Sequence, residues 1–177
     1  SAGYGGGTAN MEYMSLTGLD LSNFSPTLPT PYTQLVTHRK YNPNIAQSFP
    51  EVVAIHPYQG VYYSRTEVYK RFGFDRFYYL GSKYKIKYKK KIDRSPYLSD
   101  ETAYKNALDQ VKKANNGEFI NLVTMQNHFP YDRNYYNNSD KYTPVGEGID
   151  DYTRNAVQDF STGLSYTDTA VKDFISE

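Results

Sequence analysis

Four side chains in this 177-residue sequence stand where chemistry can be done: Thr8, His56, Arg65 and His128. Thr8 closes the run Gly5-Gly6-Gly7 and opens a predicted helix. Glycines let a backbone approach a ligand closely, and a helix start offers unpaired N–H groups to a phosphate. A Thr hydroxyl there is a weak nucleophile until a base or a metal ion activates it. Taken alone, a Thr before a helix is more often an N-cap. His56 follows an apolar run rich in β-branched residues, Val52-Val53-Ala54-Ile55, and Gln126-Asn127-His128 comes directly after a second predicted buried strand, Phe119–Met125. Past the C-terminal ends of parallel strands is where ligand crevices collect in open α/β sheets, so the two histidines point to one polar edge. Arg65 falls in the first turn of a predicted helix, where the dipole disfavours a cation, so it reads as a partner for an anion. A loop His and a solvated Arg are the plainer alternatives.

A fifth feature is Lys83-Tyr84-Lys85-Ile86-Lys87-Tyr88-Lys89-Lys90-Lys91. Its alternation suits an edge strand whose charge blocks aggregation, or else an anion-binding face. A formal net charge of +1 and the absence of a recognisable module argue against nucleic acid. With no Cys, disulfides and thiolate metal sites are excluded. Twenty Tyr, nine Phe and no Trp imply a core built largely from phenol rings. No apolar run approaches the roughly 20 residues that cross a bilayer, and no signal peptide is visible.

The elements that must position these residues alternate in type. A helix is expected over Thr8–Leu16 with Gly18 as its stop, then a Pro-rich loop and a short helix near Tyr32–Val36. Glu51–Ile55 reads as a buried strand. Ser64-Arg65-Thr66-Glu67 reads as a capping box, with Tyr63 and Val68 as its hydrophobic staple, opening a helix that ends at Gly73. Asp100–Ala114 is a helix with acids in its first turn, and Phe119–Met125 a second buried strand. Val157, Phe160, Leu164, Val171 and Phe174 mark the apolar face of a last helix. Strands separated by helices give an α/β fold with a mostly parallel sheet. The Gly-rich start and the uncapped last helix suggest an internal fragment, truncated at both ends.

Several segments in order resemble the lipoteichoic acid synthase family of the alkaline phosphatase and sulfatase superfamily. They are Tyr4-Gly5-Gly6-Gly7-Thr8-Ala9-Asn10-Met11-Glu12-Tyr13, Val53-Ala54-Ile55-His56-Pro57-Tyr58, Tyr63-Ser64-Arg65-Thr66-Glu67-Val68-Tyr69 with Arg71–Tyr78, and Val123-Thr124-Met125-Gln126-Asn127-His128-Phe129-Pro130-Tyr131. The resemblance implies that residues 1–177 are part of an extracellular sulfatase-like catalytic domain. Its activity would be transfer of phosphoglycerol from phosphatidylglycerol to a growing glycerol-phosphate chain. Thr8 would be the nucleophile, held for a time as phosphothreonine, and also a metal ligand. His56, Tyr63, Arg65 and His128 would line the glycerol-phosphate pocket, with Tyr63 standing where some members have Trp.

The resemblance also implies Mn²⁺ or Mg²⁺ in the full-length enzyme. The other ligands, an acidic residue before Thr8 and an Asp-His pair after the last helix, would lie outside this chain, so no metal is expected in it alone. The membrane would be met through segments absent here, at the extracellular face of a Gram-positive cell. A phosphoethanolamine transferase, a sulfatase-like hydrolase, and a non-catalytic binder of anionic wall polymer through Lys83–Lys91 remain alternatives.

Overall fold

The computed structural model describes residues 7–177, and within them the α/β class is as expected. The glycines Gly5 and Gly6, on which the phosphate-loop expectation partly rests, lie outside the described residues. The chain divides into two compact units. The first contains the described residues up to Ala54, Gln59–Lys85 and Ala114–Asn121, and the second Ile55–Tyr58, Ile86–Lys113 and Leu122–Glu177.

Three strands, β1 (Glu51–Gln59), β2 (Arg76–Leu80) and β3 (Glu118–Leu122), form a parallel sheet in the order β2-β1-β3. Its register is visible at its starting edge. Arg76, the first residue of the second strand, places Nη2 3.0 Å from Glu51 and 2.6 Å from Glu118, which open the other two. One guanidinium thus joins the beginnings of all three strands, an arrangement that antiparallel neighbours would not give. β1 is longer than the expected Glu51–Ile55, and β3 is shorter than the expected Phe119–Met125.

Three helices build the core of the first unit: α1 (Thr8–Thr17), α2 (Pro31–Gln34) and α3 (Arg65–Phe72). Ala9, Tyr13 and Leu16 from α1 pack with Tyr32, Val36, Val68 and Phe72 in one buried cluster. α3 ends in a Schellman turn: Gly73 is left-handed at φ 86°, and the N–H groups of Phe74 and Gly73 bond to the carbonyls of Tyr69 and Lys70.

α4 (Asp100–Val111) and α5 (Asp151–Ser176) belong to the second unit. Ser99 caps α4 by accepting from the Thr102 N–H, and Asp150 caps α5 by accepting from the Thr153 N–H. α5 corrects the expected apolar face. Its buried residues are Asp159, Thr162, Gly163 and Ala170, whereas Val157, Phe160 and Leu164 are 37%, 39% and 45% exposed. The reason is polar: the Asp159 carboxylate is needed inside, where it accepts from the backbone N–H groups of Tyr135 at 2.9 Å and Tyr136 at 3.5 Å.

The lysine run is also corrected. Its lysines Lys83, Lys85 and Lys87 do alternate outward with Ile86 inward, but the segment is not a sheet strand. Asn106 on α4 takes the place of a neighbouring strand: its Oδ1 accepts from the N–H groups of Lys87 and Tyr88, and its Nδ2 donates to the Tyr88 carbonyl. An amide side chain satisfies the backbone that a ladder would otherwise satisfy.

Candidate active site

Thr8 is the first residue of α1, and its side chain is exposed. Gly7, at φ 77°, occupies the N-cap position, and no side chain caps the helix. The N-cap reading of Thr8 is therefore corrected: its hydroxyl stands at the open N-terminus without a capping bond. One turn further along the same helix is Glu12, which is buried.

Glu12 is the centre of a dense polar cluster. Its Oε1 accepts from Arg65 Nε at 3.1 Å and, in a short contact, from Arg65 Nη2. Its Oε2 accepts from the Tyr69 hydroxyl at 2.6 Å and the Tyr32 hydroxyl at 3.1 Å. Asn121 Nδ2 donates in turn to the Tyr69 oxygen at 3.1 Å. Every one of these groups but Asn121 is almost wholly buried. A carboxylate is tolerated there because a cation and two hydroxyls replace its water.

The cluster shifts the acidities of its members. Burial, and then the Glu12 charge, push the Tyr32 and Tyr69 phenols well above their ordinary value. Burial alone would lower Arg65, but the neighbouring Glu12 outweighs it and raises the guanidinium further. The anion that Arg65 faces through Nε and Nη2 is thus the Glu12 carboxylate. Its third nitrogen, Nη1, reaches the Tyr62 carbonyl at 3.4 Å.

The entry to α3 is built differently from a capping box. Tyr63 and Ser64 both have left-handed backbones, with φ of 55° and 54°, a conformation that costs non-glycine residues about 1–2 kcal/mol each. Ser64 makes no cap bond, and Glu67 pairs forward with Arg71 at 2.6 Å instead of reaching back. The double left-handed step turns the chain so that the Tyr63 ring lies under the Arg65 guanidinium, 5.2 Å from ring centre to carbon. Tyr63 is 46% exposed, so it does not serve as the expected buried staple.

In the second unit, His56 lies inside β1, not beyond its end, and is buried. Pro57 follows it within the strand. The His56 Nδ1–H donates to the Val123 carbonyl at 2.8 Å, since a carbonyl can only accept. His128 is half-buried in the segment after β3, and its Nδ1–H donates to the Phe129 carbonyl at 2.8 Å. Edge-to-face rings run between the two histidines: His56 to Tyr58 at 6.2 Å, Tyr58 to Tyr97 at 5.8 Å, and Tyr97 to His128 at 5.6 Å in a tilted contact.

Each unit thus brings some of the expected residues together. α1 links Thr8 through Glu12 to Arg65 and Tyr63 in the first, and the ring ladder links His56 to His128 in the second. Sequence reasoning missed Glu12, Tyr32, Tyr69 and Tyr97 as members of these clusters. Glu12 carried a usable signal: it shares a helical face with the apolar positions Ala9, Tyr13 and Leu16, where an unpaired carboxylate is not stable.

Among the described residues, no group of three His, Cys, Asp or Glu is disposed to hold a metal ion. Glu12, the carboxylate nearest Thr8 in sequence, already has Arg65, Tyr32 and Tyr69 as donors. On their own, these residues do not fit a manganese or magnesium site. No described helix is long and apolar enough to cross a membrane.

Comparison with known proteins gives a consistent picture. The family described as Sulfatase matches residues 1–177. A Streptococcus pyogenes phosphoglycerol transferase, GacH, solved with sn-glycerol-1-phosphate, is similar over 99% of this chain and 45% of its own, at 30% identity and a TM-score of 0.86. The Listeria monocytogenes lipoteichoic acid synthase LtaP shares the fold at 22% identity and a TM-score of 0.59, over 94% of this chain and 40% of its own. A Rhizobium meliloti (strain 1021) protein assigned to cyclic beta-1,2-glucan modification is 34% identical over 174 residues, 96% of this chain and 26% of that protein. The chain therefore spans about a quarter to a half of the length of these relatives.

Proposed function

This chain belongs to the Sulfatase family, and from that premise we propose that it is part of the catalytic domain of a phosphoglycerol transferase. The observation that supports this most is the likeness to the Streptococcus phosphoglycerol transferase across 99% of the chain. In this reading Thr8 attacks the phosphorus of phosphatidylglycerol. A bond forms from Thr8 Oγ1 to phosphorus, and the bond from phosphorus to the diacylglycerol oxygen breaks with its electron pair on that oxygen. The Thr8 proton passes to the leaving diacylglycerol. The terminal hydroxyl of a glycerol-phosphate polymer then bonds to phosphorus as the Thr8 Oγ1–phosphorus bond breaks with its electron pair on Oγ1. The acceptor proton passes to Thr8, and the polymer takes the phosphoglycerol group.

The local physics supports these roles. Thr8 is exposed at a helix N-terminus, where N–H groups and the dipole favour a phosphate. Glu12 holds the Nε–Nη2 edge of Arg65, so the guanidinium is pre-oriented without the loss of side-chain entropy on binding. Tyr63 would form an aromatic wall beside it, and His56 and His128 would read the glycerol moiety. In the full-length protein Mn²⁺ or Mg²⁺ would activate the threonine, held mainly by ligands from outside this chain. The lipid donor would bring the reaction to the extracellular face of the cell membrane.

A second reading has its own observation. The 34% identity to the glucan-modification protein supports a glucan hydroxyl as acceptor, with the same chemistry at Thr8. The test is to incubate full-length protein with phosphatidylglycerol labelled in its headgroup, and to offer glycerol-phosphate oligomers or cyclic glucan. Labelled phosphothreonine at Thr8, discharged by one acceptor, is the expected result. Label transfer by the Thr8→Ala variant, or no transfer to either acceptor, would sink the proposal.

A further inference from the structure

The two histidines of the second unit share one organiser. Tyr97 is buried, and its hydroxyl donates to the Phe129 carbonyl at 3.0 Å. That carbonyl is the acceptor of the His128 Nδ1–H, and the Tyr97 oxygen is itself 3.4 Å from the same nitrogen. The outer side of this segment offers little restraint, because the Phe129 ring on which His128 stacks at 4.4 Å is 64% exposed. From within, Tyr97 fixes the peptide that fixes the imidazole. Tyr97 also meets Tyr58, which meets His56.

We propose that Tyr97 is a positioning residue that sets the ring orientation and tautomer of His128 directly, and the orientation of His56 through Tyr58. Both imidazoles donate through Nδ1 to a backbone carbonyl, so in their neutral forms Nε2 carries the lone pair. A neutral Nε2 accepts from a hydroxyl and repels a phosphate oxygen. On the half-buried His128, an Nε2 of this kind suits a hydroxyl of a polyol phosphate. This rests on the reading of His56 and His128 as substrate-facing. Tyr97 touches no reacting atom in this scheme.

The experiment uses full-length protein labelled with ¹⁵N-histidine, with His56→Gln and His128→Gln to assign the ring signals. Tyr97→Phe keeps the ring and removes the hydroxyl, whereas Tyr97→Leu removes the ring as well. The wild-type protein should show the Nδ1–H tautomer at both histidines. Tyr97→Phe should leave His56 unchanged and give His128 a mixture of tautomers, and Tyr97→Leu should disturb both. The KM for the phosphoglycerol donor should rise about tenfold in Tyr97→Phe with kcat little changed, the effect of one misaligned hydrogen bond. A pure Nδ1–H tautomer at His128 in the folded Tyr97→Phe variant would overturn the proposal. A changed tautomer with unchanged KM would leave the positioning role standing and remove the histidines from the substrate pocket.

Discussion

Glu12 on α1 and Arg65 on α3 are 53 residues apart and meet as a buried ion pair, with side-chain exposures of 6% and 3%. The pair ties the helix that begins with Thr8 to the helix that begins with Arg65. A single carboxylate thereby stabilises the fold and orients a candidate substrate ligand.

Glu12→Gln should destabilise the protein by about 3–5 kcal/mol, because it leaves the Arg65 charge buried without its counter-charge. Glu12→Gln combined with Arg65→Met should recover part of that loss, since no charge then remains in the cluster. Urea unfolding of the two variants measures the difference. A single variant as stable as wild type would show that water reaches Arg65.

Tyr69→Phe should cost more than Tyr32→Phe. Both hydroxyls donate to Glu12 Oε2, but the Tyr69 bond is shorter, 2.6 Å against 3.1 Å, and Tyr69 also accepts from Asn121. Hydrogen bonds to a charged group contribute about 1.5–3 kcal/mol. Denaturation midpoints of the two variants give the order, and the reverse order would contradict the geometry.

Thr8→Ala should abolish transfer while leaving stability within about 0.5 kcal/mol of wild type. Loss of an N-cap would cost about 1 kcal/mol, but Thr8 makes no cap bond. Parallel activity and thermal-unfolding measurements separate the two effects. A marked drop in melting temperature would show that the hydroxyl has a structural role.

Asp100 gives a pH dependence whose sign can be worked out. Burial raises its pKa above 3.8, although hydrogen bonds from Thr167, Thr124 and the backbone oppose the shift. The folded state then holds the proton more tightly than the unfolded state does. Its contribution to stability is full below the unfolded pKa and is lost as pH rises through the folded one. Asp100→Asn should therefore be more stable than wild type at neutral pH and should flatten the loss seen as pH rises from acid toward neutral. Unfolding curves across that range test it, and a variant that is less stable at pH 7 would refute it.

Gly163→Ala in the middle of α5 should destabilise, against the gain of about 1 kcal/mol that helix propensity gives alanine. A Cβ there would collide with Asn127 Oδ1 and stand 3.1 Å from the Tyr136 ring. Overpacking of this kind costs about 1–3 kcal/mol. A rise in melting temperature would mean that the Asn127 side chain swings away freely.

The sequence by itself determined the local parts of this protein. The α/β alternation, the glycine stop of α1, the helix from Asp100 and the β-branched run of β1 are set by propensities and by contacts within a few residues. The Thr8, His56 and Arg65 segments could also be recognised as family segments. The tertiary structure alone decided what required distant partners. The partners of Glu12 could not be named from sequence, because Tyr32, Arg65 and Tyr69 lie 20, 53 and 57 residues away. The face that α5 buries followed the backbone N–H groups of Tyr135 and Tyr136, which Asp159 accepts from, and not its apolar stripe. Ser64 and Glu67 had the spacing of a capping box, yet Arg71 offered Glu67 a charge where Ser64 offered a neutral N–H. Periodicity reports which residues share a face; whether that face is buried depends on the charges and unpaired backbone groups that folding brings against it.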